Sequence, residues 1–249
     1  MDKPVCSLIT IMNKAPVFQA FQENLQTQQD ISYELICIDN TAGQYNAARQ
    51  AYLEMAQKAK GEYLVFLHPD IRFLDPTALR DIMNCVQDLG AFGVAGVAGS
   101  PERLENKDRV ILSTIVHGEA QEAAGRQVAT AEQVQTLDEC LFVVRRTYFL
   151  ENPFSDSPGW HLYCVEHCLQ CIVDGRNNYV VPARIWHLSN GKSLDYRYML
   201  QLEQLIKKYA PQFSTINTTV KKWTTRGVIP RLYRRYYLFK QYIKGILQR

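Results

Sequence analysis

Four short apolar runs, separated by stretches of helical periodicity, constrain the first ~100 residues of this chain more than any other feature. The runs are Val5 to Met12, Tyr33 to Ile38, Tyr63 to Leu67 and Phe92 to Val97. Nearly every position in them is apolar, the mark of a strand covered on both faces. Between them, Pro16 to Gln28 puts Phe18, Phe21 and Leu25 on one helical stripe. Gln44 to Lys58 does the same with Ala48, Tyr52 and Met55, a stripe that Ala59 continues. Pro76 to Leu89 reads as a third helix, with Asp75 as N-cap ahead of proline at the first helical position. Buried strands alternating with helices predict an α/β chain with a parallel sheet and right-handed crossovers. Ligands of such sheets gather at the carboxyl ends of the strands.

Beyond Gly99 the pattern loosens. Gly99 to Gln133 reads as an irregular excursion or flap, apart from the apolar Val110 to Val116. Cys140 to Val144 reads as a strand, Leu162 to Val173 as a helix, Tyr179 to Val181 as a strand and Ser193 to Tyr209 as a helix. The last ~35 residues read as one or two basic, aromatic-rich helices broken near Gly227 and Pro230. A length of 249 residues allows one large α/β domain, or one domain with a smaller appendage.

Charge is unevenly placed. Eleven of the 28 basic residues follow Glu203, and no acidic residue does. An acidic body with a basic tail argues against general nucleic-acid binding and for a tail that meets something anionic. Leu232, Tyr236, Phe239, Ile243 and Leu247 recur at helical spacing among the cations of residues 223–249. Two readings fit: an interfacial helix on an anionic membrane surface, or a packed helix with a solvated basic face. The seven cysteines, an odd number mostly inside apolar runs, read as buried thiols of a reducing compartment. Cys164, Cys168 and Cys171 have the spacing of a metal half-site, but no second cluster completes it, so zinc is not expected. Neither a signal-peptide pattern nor a run of the roughly 18 to 20 apolar residues that span a bilayer is seen. The expectation is a cytoplasmic chain, peripheral at the inner face of the membrane if it meets one.

Polar residues with chemical potential sit at the strand tips. Strand two ends in Asp39-Asn40 and strand three in His68-Pro69-Asp70. An aspartate at a tip can accept hydrogen bonds from a base or ribose. A His and an Asp two residues apart on an extended segment project to the same side and can share a cation. Turns after strands are often rich in Asp and Asn, which leaves Asp39 open to a turn role, whereas turn chemistry makes no demand for His68. The absence of a Gly-x-Gly-x-x-Gly after the first strand argues against a dinucleotide-binding dehydrogenase. The glycine-free Met12-Asn13-Lys14-Ala15-Pro16 argues against a nucleotidyltransferase.

Taken together, Ser7-Leu8-Ile9-Thr10-Ile11, Glu34 to Asn40, Tyr45-Asn46-Ala47-Ala48-Arg49 and Ala59 to Asp70 resemble the family 2-like glycosyltransferases of GT-A type. The resemblance runs from about Pro4 to Ala210, in a branch where His-x-Asp replaces Asp-x-Asp. It implies a mostly parallel, mixed sheet flanked by helices, with a C-terminal helical extension. It implies a domain over 1–210, with a nucleotide-sugar half to about 100 and an acceptor half beyond, and a separate tail over 211–249. By the same resemblance, Asp39 meets the nucleobase or ribose with Thr10 and Asn40 nearby, and Asn46 and Arg49 line the ribose and diphosphate path. Asp70 holds a divalent cation, Mn²⁺ or Mg²⁺, with His68 beside it and His187 as a late third ligand. Ser189, Asn190, Gly191 and Lys192 could close over the diphosphate.

The stretch from Phe154 to Glu166 resembles the segment that carries the family's catalytic base. An inverting transfer needs a carboxylate to take the acceptor proton. Where the family has Glu-Asp, this chain has Tyr163-Cys164, so the base candidates are Glu166, then Asp138, then His161. Plain alternatives stand beside these readings: a helix-surface charge for Glu166, a turn or cap for Asp138, and core packing for Trp160, the aromatic beside His161. Trp160 and His161 are candidates for acceptor contact. The implied activity moves a sugar from a nucleotide sugar, most simply a UDP-sugar, to a glycan or lipid-linked hydroxyl. The rival reading is a non-catalytic sugar- or nucleotide-binding module on the same fold.

Overall fold

The computed structural model describes residues 4–189 and 195–247. Its first part runs β1 (Cys6–Met12), α1 (Ala15–Leu25), β2 (Tyr33–Asp39), α2 (Ala48–Lys58), β3 (Tyr63–Leu67), β4 (Ile71–Phe73) and α3 (Ala78–Asp88). β1 lies between β2 and β3 and is parallel to both, as apolar runs linked by helices require. The helices start or stop a few residues inside the expected limits; α2, for instance, begins at Ala48, not Gln44.

The second part adds short strands: β5 (Ala95–Gly96), β6 (Ala98–Ser100), β7 (Leu112–Ser113), β8 (Ile115–His117), β9 (Glu122–Ala123), β10 (Glu132–Val134) and β11 (Thr136–Leu137). The expected strand Phe92 to Val97 is cut to two residues because the chain changes sheets at Val97. β5 stays in the main sheet, while β6 pairs with β11 and β7. The stretch from Gly99 to Gln133, expected to be irregular, is threaded by these strands; its apolar run supplies β7 and β8. Then come β12 (Leu141–Arg145), α4 (Arg146–Glu151), α5 (Tyr163–Val173), β13 (Asn178–Val180), β14 (Ile185–His187), α6 (Tyr196–Tyr209), β15 (Thr215–Asn217), β16 (Lys222–Thr224) and α7 (Val228–Leu247). α6 opens at an N-cap, where the Asp195 side chain accepts from the Tyr198 amide at 2.7 Å. α7 is one continuous helix. Pro230 falls in its first turn, where a missing N–H costs nothing.

The main sheet has the order β10-β13-β5-β12-β3-β1-β2. β12 is antiparallel to both β3 and β5, which makes the sheet mixed. Helices cover both faces. On one side α2, α4 and α5 bring Tyr52, Phe149 and Tyr163 onto Phe66 and Phe142. On the other, α1 and α3 bring Phe21, Leu79, Ile82 and Val86 onto Leu8, Val65 and Leu141. A third cluster joins α6, the β15–β16 hairpin and the inner side of α7 around Trp223. All seven cysteines are free thiols, and burial pushes Cys6 and Cys171 up to about 12, far from reactive thiolates. Among the described residues no helix is long and apolar enough to cross a membrane.

Gly61, two residues before β3, lies close against the start of β1. A Cβ there would lie 2.5 Å from the Ser7 nitrogen and 2.6 Å from the Cys6 carbonyl carbon, so any side chain must push β1 aside. Gly61→Ala is expected to cost about 2–3 kcal/mol of stability. The reading is a lower urea midpoint at unchanged slope.

Candidate active site

β3 is entirely buried and ends at Leu67, so the polar residues that follow emerge at its carboxyl end. The His68 amide still bonds the Cys140 carbonyl at 2.9 Å, which holds the tip against the start of β12. After Pro69 and Asp70 the chain enters β4. There β14 pairs antiparallel, setting His187 opposite Ile71, while the Leu188 amide bonds the Asp70 carbonyl at 2.9 Å. On its other edge β14 runs parallel to β8 and sets His187 beside His117.

Three ligand-type side chains therefore converge. His187 Nε2 is 3.4 Å from Asp70 Oδ1, and His68 Nδ1 is 4.0 Å from the same oxygen. One ligand atom from each of His68, Asp70 and His187 lies within 4.8 Å of the others. Asp70 Oδ1 and His187 Nδ1 are buried with no hydrogen-bond partner among the described residues. Unpaired buried polar atoms are costly, and a cation shared by the set would relieve Asp70 Oδ1. Octahedral bonds of about 2.1 Å keep ligand atoms within roughly 4.2 Å, so a small closure would seat Mg²⁺ or an ion of similar size. Burial pushes the Asp70 carboxyl up, but His187 and His68 outweigh it and hold the group below its ordinary value. Burial pushes His68 down, which favours the neutral imidazole that a metal needs. Burial also works against charge on His187, but Asp70 overrides it and raises that group.

Two cavities meet at His68. The smaller, about 320 Å³, lies over the ends of β1 and β3 and is lined by Asn13, Lys14, Asp70, Trp160 and Tyr163. The larger, about 500 Å³, is lined by His117, Asp138, Glu139, His161 and His187. Of the other expected donor residues, Thr10, Asp39 and Asn40 lie at or near the carboxyl ends of β1 and β2. Thr10 is buried with its hydroxyl unpartnered. Asp39 is exposed at the end of β2, where one carboxylate oxygen accepts from both the amide and the hydroxyl of Thr41. Asn40 is buried and accepts from the Tyr45 amide at 2.9 Å, while Asn46 is exposed on the loop before α2. Ser189 lines the larger cavity; Asn190, Gly191 and Lys192 lie outside the described residues.

Arg49 and Glu166 do not line either of these cavities. They face each other in the interior, Arg49 Nη2 to Glu166 Oε2 at 2.9 Å, and Lys208 Nζ reaches the other carboxylate oxygen at 2.9 Å. Ser155 donates a further hydrogen bond to Glu166 at 2.9 Å. The ion cluster ties α2, α5 and α6 together. Gly159, at φ +100, lets the intervening segment lie against the start of α2, where the Ala48 amide bonds its carbonyl at 3.1 Å.

Asp138 does face the larger cavity. Its carboxylate accepts from the Thr219 hydroxyl at 2.9 Å and the Cys140 amide at 3.0 Å. His161 also lines it, 3.5 Å from Asp195, with burial holding it below its ordinary value. Three further residues enter that the sequence reading did not single out as site residues: Glu139, Tyr163 and His117. Glu139 accepts from the Tyr163 amide at 2.8 Å, so a carboxylate does sit at the start of α5, but it comes from the strand side. Burial, then the charge of Asp138, raises Glu139 to about 8. The Tyr163 hydroxyl lies 3.2 Å from His68 Nε2. The adjacent Asp138-Glu139 pair and the lost Glu-Asp were the available clues to Glu139.

A protein-family model described as "Glycosyltransferase like family" matches residues 7–209. A relative from Fuscovulum blasticum, described as "ATP synthase subunits region ORF 6", is 26% identical over 185 residues, 72% of each chain. Among solved structures, the mannosyltransferase PcManGT from Pyrobaculum calidifontis, in complex with GDP-Man and Mn²⁺, aligns with 96% of this chain and 70% of its own. The TM-score is 0.58 at 14% identity. TarS of S. aureus aligns with 81% of this chain and 39% of its own, at a TM-score of 0.56 and 11% identity. Residues 1–349 of TarS in complex with UDP-GlcNAc give 0.54 at 12% identity, over 81% and 66%. At such identities these structures speak to the fold.

Burial pushes the Glu166 carboxyl up, but Lys208 and Arg49 outweigh it, so its folded pKa lies below its ordinary value. The stabilisation it brings is therefore complete above pH ~4.3 and is lost as pH falls through the folded pKa. Glu166→Ala strands the buried Arg49 and is expected to cost about 3 kcal/mol. Urea midpoints between pH 7 and pH 3 check both points: the variant starts lower and loses less on acidification.

Proposed function

This chain belongs to the glycosyltransferase-like family and has the GT-A fold, and from that premise we propose an inverting transfer of a sugar from a nucleoside diphosphate sugar to an acceptor hydroxyl. The observation that carries the reading is the seam at His68, where a cavity over the β1 and β3 ends meets one that holds a free-facing carboxylate. The smaller cavity suits the donor, a UDP-sugar in the first instance. Asp39 and Asn46, both exposed, would meet the base and ribose, with Asn40 and Thr10 buried nearby, and Lys14 offers a cation to the diphosphate. Trp160 offers a flat face to the sugar. On this reading residues 1 to about 100 would form the donor half and about 100–210 the acceptor half, while 211–249, the expected tail, also brings Thr218 to Val220 to the larger cavity.

His68, Asp70 and His187 would hold a divalent cation, Mn²⁺ or Mg²⁺, which neutralises charge developing on the diphosphate as the glycosidic bond breaks. An imidazole-containing set favours Mn²⁺ slightly. The acceptor, a glycan or lipid-linked hydroxyl, occupies the larger cavity. Asp138 takes its proton while the hydroxyl oxygen attacks the anomeric carbon and the nucleoside diphosphate leaves. We prefer Asp138 to Glu166 because Glu166 is already committed to Arg49 and Lys208. Glu139 holds the start of α5, and Tyr163 there steadies His68. His161, which lines the same cavity, remains a candidate for acceptor contact.

A panel of UDP- and GDP-sugars with Mn²⁺, with and without chelator, tests the reading. Turnover that chelator abolishes is the expected result; absence of both turnover and nucleotide binding would sink it. Nucleotide binding without turnover would favour the non-catalytic module for which Tyr163-Cys164 is the specific sign. Asp138→Asn is expected to lower kcat by about 10²- to 10⁴-fold with nucleotide affinity unchanged. Asp70→Asn is expected to remove Mn²⁺ binding in calorimetry, whatever its effect on turnover.

A further inference from the structure

The C-terminal helix wears its apolar side outward. Its inner side is built from Arg234, Tyr237 and Leu238. Arg234 is buried and pairs with Glu203 at 2.7 Å, and the Tyr237 ring meets Trp223 edge-on. A helix turns about 100° per residue, so Leu232, Tyr236, Phe239, Ile243 and Leu247 project to the opposite side. They form a stripe about 100° wide, the width by which a surface helix normally joins a core. Here most of the stripe is left open by the described residues: Phe239 is 63% exposed and Leu247 80%, with Ile243 at 37%. Cations border it on both sides, Arg231 and Arg235 along one edge and Lys240 and Lys244 along the other, all exposed.

The charge pattern selects the occupant. A second copy of the helix would bring cationic borders together with no acid in α7 to neutralise them, and like charges across an interface oppose association. An anionic bilayer meets both demands at once: acyl chains take the apolar stripe and lipid phosphates take the cations. The helix is not apolar enough to cross, so it would lie along the surface.

We propose that α7 is a membrane-docking face that lies in the interface of an anionic bilayer. Docking would also place the larger cavity near the lipid. The loop between β15 and β16 carries Thr218, Thr219 and Val220 into the cavity wall, and the next residue, Lys221, donates to the Tyr233 hydroxyl of α7 at 2.7 Å. That consequence rests on the transferase reading; the docking itself does not.

The test is co-sedimentation of the full chain with vesicles of phosphatidylcholine, alone or mixed with phosphatidylglycerol. Binding is expected only with phosphatidylglycerol and should fall as salt is raised. Phe239→Glu and Ile243→Glu should each weaken it by about tenfold or more. Arg235→Gln and Lys244→Gln should each weaken it by about fivefold. Equal binding to neutral vesicles, or none to either, overturns the proposal. So does a dimer by light scattering that Phe239→Glu dissolves. Nucleotide binding by the same variants should be unchanged, showing that the fold is intact. Vesicle binding by a chain that transfers no sugar would leave the docking standing and remove only the transferase reading.

Discussion

The pairing of β14 with β4 on one edge and β8 on the other is the constraint from which the site follows. Side chains alternate along a strand, so the register decides which of them enters the site. Ile185 and His187 point inward and Trp186 lies between them on the other face, its indole N–H bonded to the Gly118 carbonyl at 2.7 Å. A slip of one residue would exchange Trp186 for His187 and leave Asp70 with His68 alone. The backbone bond from Leu188 to Asp70 closes the arrangement at the point where the carboxylate must be held.

The carboxylates of the interior divide between those engaged by partners and those that face a cavity with capacity to spare. Glu166 has three donors around it and joins three helices. A carboxylate so engaged is held as an anion by its neighbours, and displacing it would leave Arg49 unpaired in the interior. Asp138 has two donors but lies on a cavity wall, with acceptor capacity to spare. Its neighbour Glu139 sits at the start of α5 and is pushed toward the neutral form. The adjacent carboxylates thus have different surroundings, and the carboxylate that caps the start of α5 comes from another element.

The same logic of partners explains the tail. An amphipathic helix usually buries its apolar stripe, yet α7 buries an arginine. Glu203 on α6, the last acidic residue of the chain, supplies the counter-charge that makes this affordable. Tyr237 and Leu238 complete the inner contact around Trp223, which leaves the outer stripe exposed between its two rows of cations.

Much of this was readable from local pattern. Apolar runs with helical spacers encode β1, β2 and β3, and a strand must end where its apolar run ends; this puts Asp39, Asn40, His68 and Asp70 at the ligand-binding edge. The antiparallel course of β12 was not readable, because an apolar run carries no direction. Nor was the commitment of Glu166 to Arg49, since a charged residue in a helix looks the same whether its partner is water or a buried guanidinium. Helical spacing showed that α7 has an apolar side but not which way that side faces. The sequence by itself determined the elements and the polar residues at their ends, because backbone propensity and hydrophobic periodicity act over a few residues. Only the tertiary structure decided how His187 reaches His68 and Asp70, and that Asp138 faces the larger cavity while Glu166 is engaged by Arg49 and Lys208. Those outcomes depend on strand register and on through-space partners far apart in the chain.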